Sequence, residues 1–283
     1  MASFMSAVLF DRGRDSKDGH TRSQADPPGL LSPAPRLDGD PGRRRLLCGL
    51  GAAALCGIGS GVSAAPRFSK AQARAPGAFS FVYQLRRSGL TGTGQLVWAP
   101  VASSYQLRLE GRAPLLGTLI EQLSVGRLGP AGLLPERFTE RRRGRDEQAT
   151  EFRADQGKVV VLGGEGGEHP LVPGAQDRVS WMVQLAALAL ADPKNVSPGR
   201  TLTMPVVNRH GDTESWRFQC QPPQSVPLAG GAVRAARLVR PAQREGGAAA
   251  EVWLDPTRQY LPVRARLIDG RGDPLELLLQ NEG

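Results

Sequence analysis

From Phe79 onward, apolar and polar residues alternate in steps of two. The segments "FSFVYQLRR" (79–87), "GQLVWA" (94–99), "SYQLRLEGR" (104–112), "IEQLSVGRL" (120–128), "KVVVLG" (158–163) and "LTMPVV" (202–207) show this period. It continues in "ESWRFQC" (214–220), "AVRAARLVR" (232–240), "AEVWLD" (250–255), "LPVRARLID" (261–269) and "PLELLLQ" (274–280). In "LPVRARL", Leu261, Val263, Ala265 and Leu267 fall on one face, with Arg264 and Arg266 on the other. A period of two with one apolar face is the mark of antiparallel strands packed on one side only. Turn signals such as "DPTRQ" and "DGRGDP" separate the segments. The pattern predicts a mainly β fold: a curved antiparallel sheet or half-open barrel of about 11–13 short strands.

One segment changes period. "QDRVSWMVQLAALALADP" (176–193) can start at Asp177 as N-cap and must stop at Pro193. Val179, Met182, Leu185, Ala186 and Ala189 form a helical stripe, which Trp181, Leu188 and Leu190 widen almost all round. A helix apolar on most sides has to be buried, so one buried helix is predicted near 178–191, inside the curve of the sheet. Aromatic and Met side chains at this spacing read first as core and second as the lining of a ligand site. In the second case Leu185 faces the sheet, and the Trp181 indole stands beside a gap.

The stretch "ERFTERRRGRDEQATEFRAD" (136–155) concentrates arginine between Arg141 and Arg145. Phe138 and Phe152 should face one core, which favours a hairpin with the loop Gly144-Arg145-Asp146 and Arg143 opposite Glu147. A slip of one residue would turn one Phe into water. The stretch holds six arginines and six carboxylates, and no aromatic residues are interleaved in the run Arg141 to Arg145 to stack bases. It reads as a solvated hairpin, not a nucleic-acid surface.

Residues 11–42 are polar and rich in Pro, Gly and Asp, without apolar period, so 1–42 is assigned to a disordered leader or a mis-assigned start. Residues 43–73 read as an export signal: arginines, a mildly apolar stretch, then small-residue ends at Ala64 and Ala73. Arg43, Arg44, Leu46 and Leu47 fit the twin-arginine form. The alternative is an uncleaved N-terminal anchor in the inner membrane, since 46–65 approaches the roughly 20 residues a span needs. Its glycines and serines suit lipid poorly. Residues 74–283 then form a single β-rich exported domain, periplasmic and without a stable membrane span.

The formal charge is +9, but ten of the 36 cations and six of the 27 carboxylates precede residue 74, which leaves +5. Only Cys220 remains of the three cysteines, so no intramolecular disulfide can form. It shares a face with Trp216 and Phe218 and reads as core. His169 and His210 sit in turn sequences, with no cysteine or carboxylate at ligand spacing for zinc. There is no G-x-S-x-G elbow. "LGGEGGE" (162–168) lacks the lysine and helix of a phosphate loop, and "GLTGTGQ" (89–95) runs into a strand, not a helix. No pair of carboxylates is singled out for glycoside hydrolysis.

The order of motifs is itself informative. A leading strand pair is followed by "GLLPERFTERRRGR", "VPGAQDRVSWMVQL", "GRTLTMPV" and "VWLDPTRQYLPVRARL". This order resembles the exported bacterial family called domain of unknown function 3108, over most of 79–280. The resemblance implies a half-open antiparallel barrel with an inner helix, like that of periplasmic lipoprotein carriers. It implies no catalytic residue, since the family has no established activity. Three readings of function follow. In the first, a non-enzymatic periplasmic protein binds an apolar ligand such as an acyl chain or lipid between sheet and helix, lined by Trp98, Trp181, Met182, Leu185 and Trp253. In the second, it is an envelope protein–protein interaction module with the helix as plain core. In the third, it is a hydrolase whose acidic residues meet only in space. None of the three calls for a cofactor or metal.

Overall fold

The computed structural model of the chain describes residues 73–164, 166–243, 248–268 and 274–282. The leader and the export-signal residues, apart from Ala73, lie outside the described residues. Strands β1 (Phe79–Arg87), β2 (Leu90–Val101), β3 (Ser104–Ala113), β4 (Gly117–Gly129), β5 (Gly132–Arg142), β6 (Gln148–Arg153), β7 (Lys158–Leu162) and β8 (Gly167–Pro170) form a meander that ends at one edge of a sheet. A second meander, β9 (Thr201–Val207), β10 (Thr213–Leu228), β11 (Gly231–Arg240), β12 (Ala249–Asp255), β13 (Leu261–Ile268) and β14 (Leu275–Glu282), starts at the other edge. It returns to the middle, where β14 pairs antiparallel with β1.

The alternation in the sequence becomes an inner and an outer face. Leu261, Val263, Ala265 and Leu267 of β13 are buried, while Arg264 and Arg266 turn outward. Curvature has local causes: the register shifts at Val82/Tyr83, Gly111/Arg112, Val125/Gly126 and Trp253/Leu254. Bulges of this kind bend and twist a strand. The observed sheet has fourteen strands among the described residues, above the expected number of about 11–13. The strand not foreseen is β8, which begins in the Gly-rich stretch at 162–168.

Helix α1 (Ser180–Ala191) lies in the crossover from β8 to β9, two residues later than the expected start. The N-cap position falls to Val179, not Asp177, but Asp177 still supplies the capping bonds, its Oδ1 accepting from the Val179 and Ser180 N–H groups at 2.9 and 2.8 Å. After Asp192, Pro193 opens a short 3-10 turn, so the helix stops where expected. Val179, Trp181, Val183, Leu185, Ala186, Ala187 and Ala189 have no exposed surface, and the core they join includes Phe138, Phe218, Leu238 and Val263 from both meanders. Cys220, a free thiol, is buried in the same core as Trp216 and Phe218, and burial pushes it up to about 11. The crossover also draws the two edges of the sheet together. Gln176 bonds to β9 through Pro205 O and Val207 N at 2.9 and 2.8 Å, and His169 of β8 meets Asp212 at 3.2 Å.

The hairpin register differs from expectation by two. Phe138 pairs with Thr150, not Phe152, and the ladder ends at Glu140 and Gln148. A shift of two preserves the face, so both Phe side chains are still buried. Arg143 therefore does not stand opposite Glu147 in a ladder.

One contact locks α1 to the sheet. Gln184 Oε1 accepts from Leu133 N, and Nε2 donates to Ala131 O, both at 2.8 Å, across the β4–β5 turn. Gly132 lies between, at φ +110°, and a Cβ there would sit 2.1 Å from Gln184 Oε1. Gln184 can move aside only by losing both bonds. Gly132→Ala should therefore lower stability by about 1–3 kcal/mol, as overpacking does, measured by urea unfolding. An Ala at solvent-exposed Gly230, where a Cβ meets nothing within 4 Å, should leave it nearly unchanged.

Candidate functional site

Trp98, Trp181, Met182 and Leu185 all belong to the core between sheet and helix. Trp98, on the inner face of β2, stacks on Tyr105 with ring centroids 5.0 Å apart, and its Nε1 donates to Pro76 O at 3.1 Å. Trp181 stacks on Phe218 at 5.7 Å and tilts against Trp216 at 5.5 Å. Its indole is surrounded, not beside a gap. Trp253 is on the opposite face. There it pairs with Arg237 and Arg264, whose guanidinium carbons lie 5.7 and 4.8 Å from its ring, and its Nε1 donates to Gln224 Oε1 at 2.8 Å. The run Val252-Trp253-Leu254 is apolar on both faces, so alternation could not orient it. Val252 and Leu254 take the inner positions, and Trp253 is buried under arginines instead.

The sequence reading missed the polar content of the interior. Ser124 Oγ donates to Asp177 Oδ2 at 2.5 Å and lies 3.0 Å from Tyr105 Oη, so a buried chain of hydroxyls joins Trp98's stacking partner to the helix cap. Burial raises the Asp177 carboxyl above the ordinary carboxylate range, against the hydrogen bonds from Ser124, Ser180 and Val179 that favour the anion. Tyr105 is likewise pushed up by burial, with Asp177 adding to the effect.

Next to this chain lies an ionic cluster on β4 and β5. Glu140 Oε1 accepts from Arg142 Nε at 2.7 Å, and Oε2 accepts from Gln122 Nε2 at 2.5 Å. Arg178 Nη2 lies 3.4 Å from Glu140 Oε2, with its guanidinium carbon 4.6 Å from the centre of the Phe138 ring. Burial alone would raise Glu140, but Arg178, Arg142 and the bonds from Gln122 and Arg142 together hold it below the ordinary range. Burial draws Arg178 downward while Glu140 opposes it, and an arginine stays cationic throughout the ordinary pH range. Gln122 Oε1 and Thr150 Oγ1 remain without partners in this interior. The signal that could have located the cluster is register: Gln122 and Ser124 follow Ile120, and Glu140 follows Phe138, in steps of two. Polar residues there occupy apolar positions.

The arginine run is split by the fold. Arg142 points inward to Glu140, whereas Arg141 pairs with Glu121 of β4 at 2.6 Å on the outer face. The Arg143 guanidinium bonds the Leu116 carbonyl, and Arg145 is exposed. Thus the arginine run is solvated except at Arg142. The rest of the outer face carries further arginine–glutamate pairs, among them Arg137–Glu151 at 2.8 Å and Arg237–Glu251 at 2.9 Å. Among the described residues no group of His, Cys, Asp and Glu could hold a metal ion, and no helix is long and apolar enough to cross a membrane. An open cleft of about 380 Å³ lies by the β1–β2 turn, lined by Arg86, Arg87 and Glu276 among others.

A curved all-antiparallel sheet folded around one crossover helix, with strand and helix motifs in this order, defines a mainly β half-barrel class. The chain belongs to the family described as protein of unknown function DUF3108, whose model matches residues 74–279. No curated protein matches the chain. Among solved structures it is similar to MucB in complex with MucA(peri), at 17% identity and TM-score 0.30, over 73% of this chain and 50% of that one. It is similar also to MucB alone, at 15% identity and TM-score 0.30, over 76% of this chain and 55% of that one. The chain thus spans about half the length of these structures. A likeness of that size carries no argument about binding.

Glu140→Gln should cost about 3–5 kcal/mol in urea unfolding, because it leaves buried Arg178 without its counter-charge. Adding Arg178→Met should recover a large part of that loss, since an unbranched apolar side chain can cover Phe138 without a charge. For Asp177, a folded-state pKa raised above the unfolded value means a stabilising contribution present at low pH and lost as pH rises through the folded value. Asn does not titrate and keeps the acceptor for Val179 and Ser180. Asp177→Asn should therefore gain stability relative to the wild type as pH rises from below the ordinary carboxylate range, measured as the difference in thermal midpoint across that window.

Proposed function

We propose that this chain is an exported, non-enzymatic protein of the bacterial periplasm that acts by binding a partner protein on its outer surface, with α1 as core. The observation that supports this most directly is the filled interior. Trp181 and Leu185 have no exposed surface, the indole is stacked on Phe218, and Gln184 and Asp177 tie the helix to the β4–β5 turn and β4. Recognition then falls to the outside. The arginine-headed, mildly apolar segment with small-residue ends at 43–73 supports export. A second reading rests on the apolar character of Trp98, Trp181, Met182 and Leu185, all in one core: an acyl chain or lipid enters between sheet and helix as α1 shifts. Trp253, on the other face, takes no part in that site.

The two readings differ in energetics. With α1 as core, Leu185→Ala should cost about 2–5 kcal/mol and Trp181→Ala about 3–5 kcal/mol in urea unfolding. Native mass spectrometry of the protein isolated from the periplasm should then show a bound protein chain and no stoichiometric lipid. Small losses at both positions, together with a co-purified lipid that the variants release, would replace the first reading by the second.

A further inference from the structure

Four of the seven exposed large apolar side chains among the described residues, Leu90, Leu115, Leu116 and Leu162, lie at one end of the strands. They sit at the β1–β2 turn, the β3–β4 turn and the end of β7, on the rim that also carries the β5–β6 turn. Leu115 is fully exposed and has φ +64°. A left-handed backbone is unfavourable for a branched residue and persists only where the surroundings enforce it. Here they do: Leu116 N donates to Ala113 O at 3.2 Å, Arg143 N donates to Leu119 O at 2.9 Å, and the Arg143 guanidinium bonds the Leu116 carbonyl. The turn so held keeps the Leu115 side chain out in water.

Guanidiniums without a carboxylate partner stand among these leucines. Arg86, Arg143 and Arg145 have no carboxylate partner among the described residues, while neighbouring Arg112 and Arg141 pair with Glu110 and Glu121. Asp146 and Glu147 are the carboxylates of the β5–β6 turn. We propose that this rim docks on the headgroup layer of an anionic phospholipid bilayer. Leu115 and Leu116 enter below the phosphates, and Arg86, Arg143 and Arg145 meet them. Separate apolar tips on neighbouring hairpins can reach one plane together, whereas they form no continuous groove for a protein segment. Guanidinium forks match phosphate oxygens, and cationic side chains beside apolar tips are the combination that interfacial binding uses. This inference does not depend on the existence of a protein partner.

The test is flotation of the full chain with vesicles of phosphatidylglycerol and phosphatidylethanolamine, against vesicles of phosphatidylcholine alone. Binding should appear on the anionic vesicles, weaken as salt rises, and fall about tenfold or more in Leu115→Asn with Leu116→Asn. Asn tolerates the left-handed backbone, so the thermal midpoint should hold or rise, which separates lost binding from lost folding. Arg86→Gln, Arg143→Gln and Arg145→Gln combined should remove the preference for anionic lipid. Any contribution from residues ahead of Ala73 is common to all variants, so the ratio to wild type is what is read. Binding unchanged by the Asn pair, or no binding to either vesicle, overturns the proposal. Loss of a protein partner in the Asn pair without any vesicle binding overturns it in favour of a protein-docking rim.

Discussion

Because β1 pairs with β14 in the middle of the sheet, the chain finishes its first meander at one edge and must begin the second at the other. The crossover therefore has to span the width of the sheet, and a curved sheet leaves its inner side as the covered route. A helix on that route has little water-facing surface, here parts of Leu188, Leu190 and Ala191. It must be apolar all round, short of the side chains that fasten it, and its small residues must let it lie close. The composition of α1 meets these conditions: Ala186, Ala187 and Ala189 are fully buried, and Arg74 N reaches Ala187 O at 3.2 Å from the chain ahead of β1.

The fastenings are polar, and this sets the character of the interior. Asp177, Gln184 and Arg178 each bring a polar group into a core otherwise made of aromatic and aliphatic side chains. Buried ion pairs contribute little net stability, because desolvation offsets attraction. What they can enforce is position. Arg178 stacks on Phe138 only where Glu140 waits for it, and Asp177 reaches Ser124 only if α1 begins at the right depth. A purely apolar helix in a curved apolar sheet could slide along its own axis. With Gln184 bonded on both sides of Gly132, sliding breaks two hydrogen bonds at once.

The positive charge of residues 74–283 has a similar logic. Most of the arginines on the outer face stand beside glutamates on neighbouring strands, where each exposed pair contributes at most about 1 kcal/mol but the surface as a whole stays mixed in sign. Guanidiniums also cover aromatic surface that would otherwise be wet, as Arg237 and Arg264 do over Trp253 and Arg240 does over Trp216 at 4.3 Å. Three of the arginines without a carboxylate partner among the described residues, Arg86, Arg143 and Arg145, stand at one rim beside exposed leucines. Net charge alone could not have shown this.

The period of two along the chain was enough to identify most strands, and the change of period at 176–193 was enough to identify a buried helix. Both are local consequences of one covered face, so they can be read without knowing what covers it. Asp177 as capping side chain, Pro193 as stop and Cys220 as core follow from the same local chemistry. Pairing could not be read in this way. The hairpin register differs by two because a shift of two keeps every side chain on its face, and so burial does not discriminate between the alternatives. Trp253 could not be oriented, since Val252-Trp253-Leu254 is apolar on both sides and a bulge intervenes. Nor could the Glu140–Arg142–Arg178 cluster be assembled, because its members come from a strand and a crossover that are neighbours only once the sheet has curved around the helix. Sequence decides which face each residue can occupy. Only the closed sheet decides which residues on that face meet.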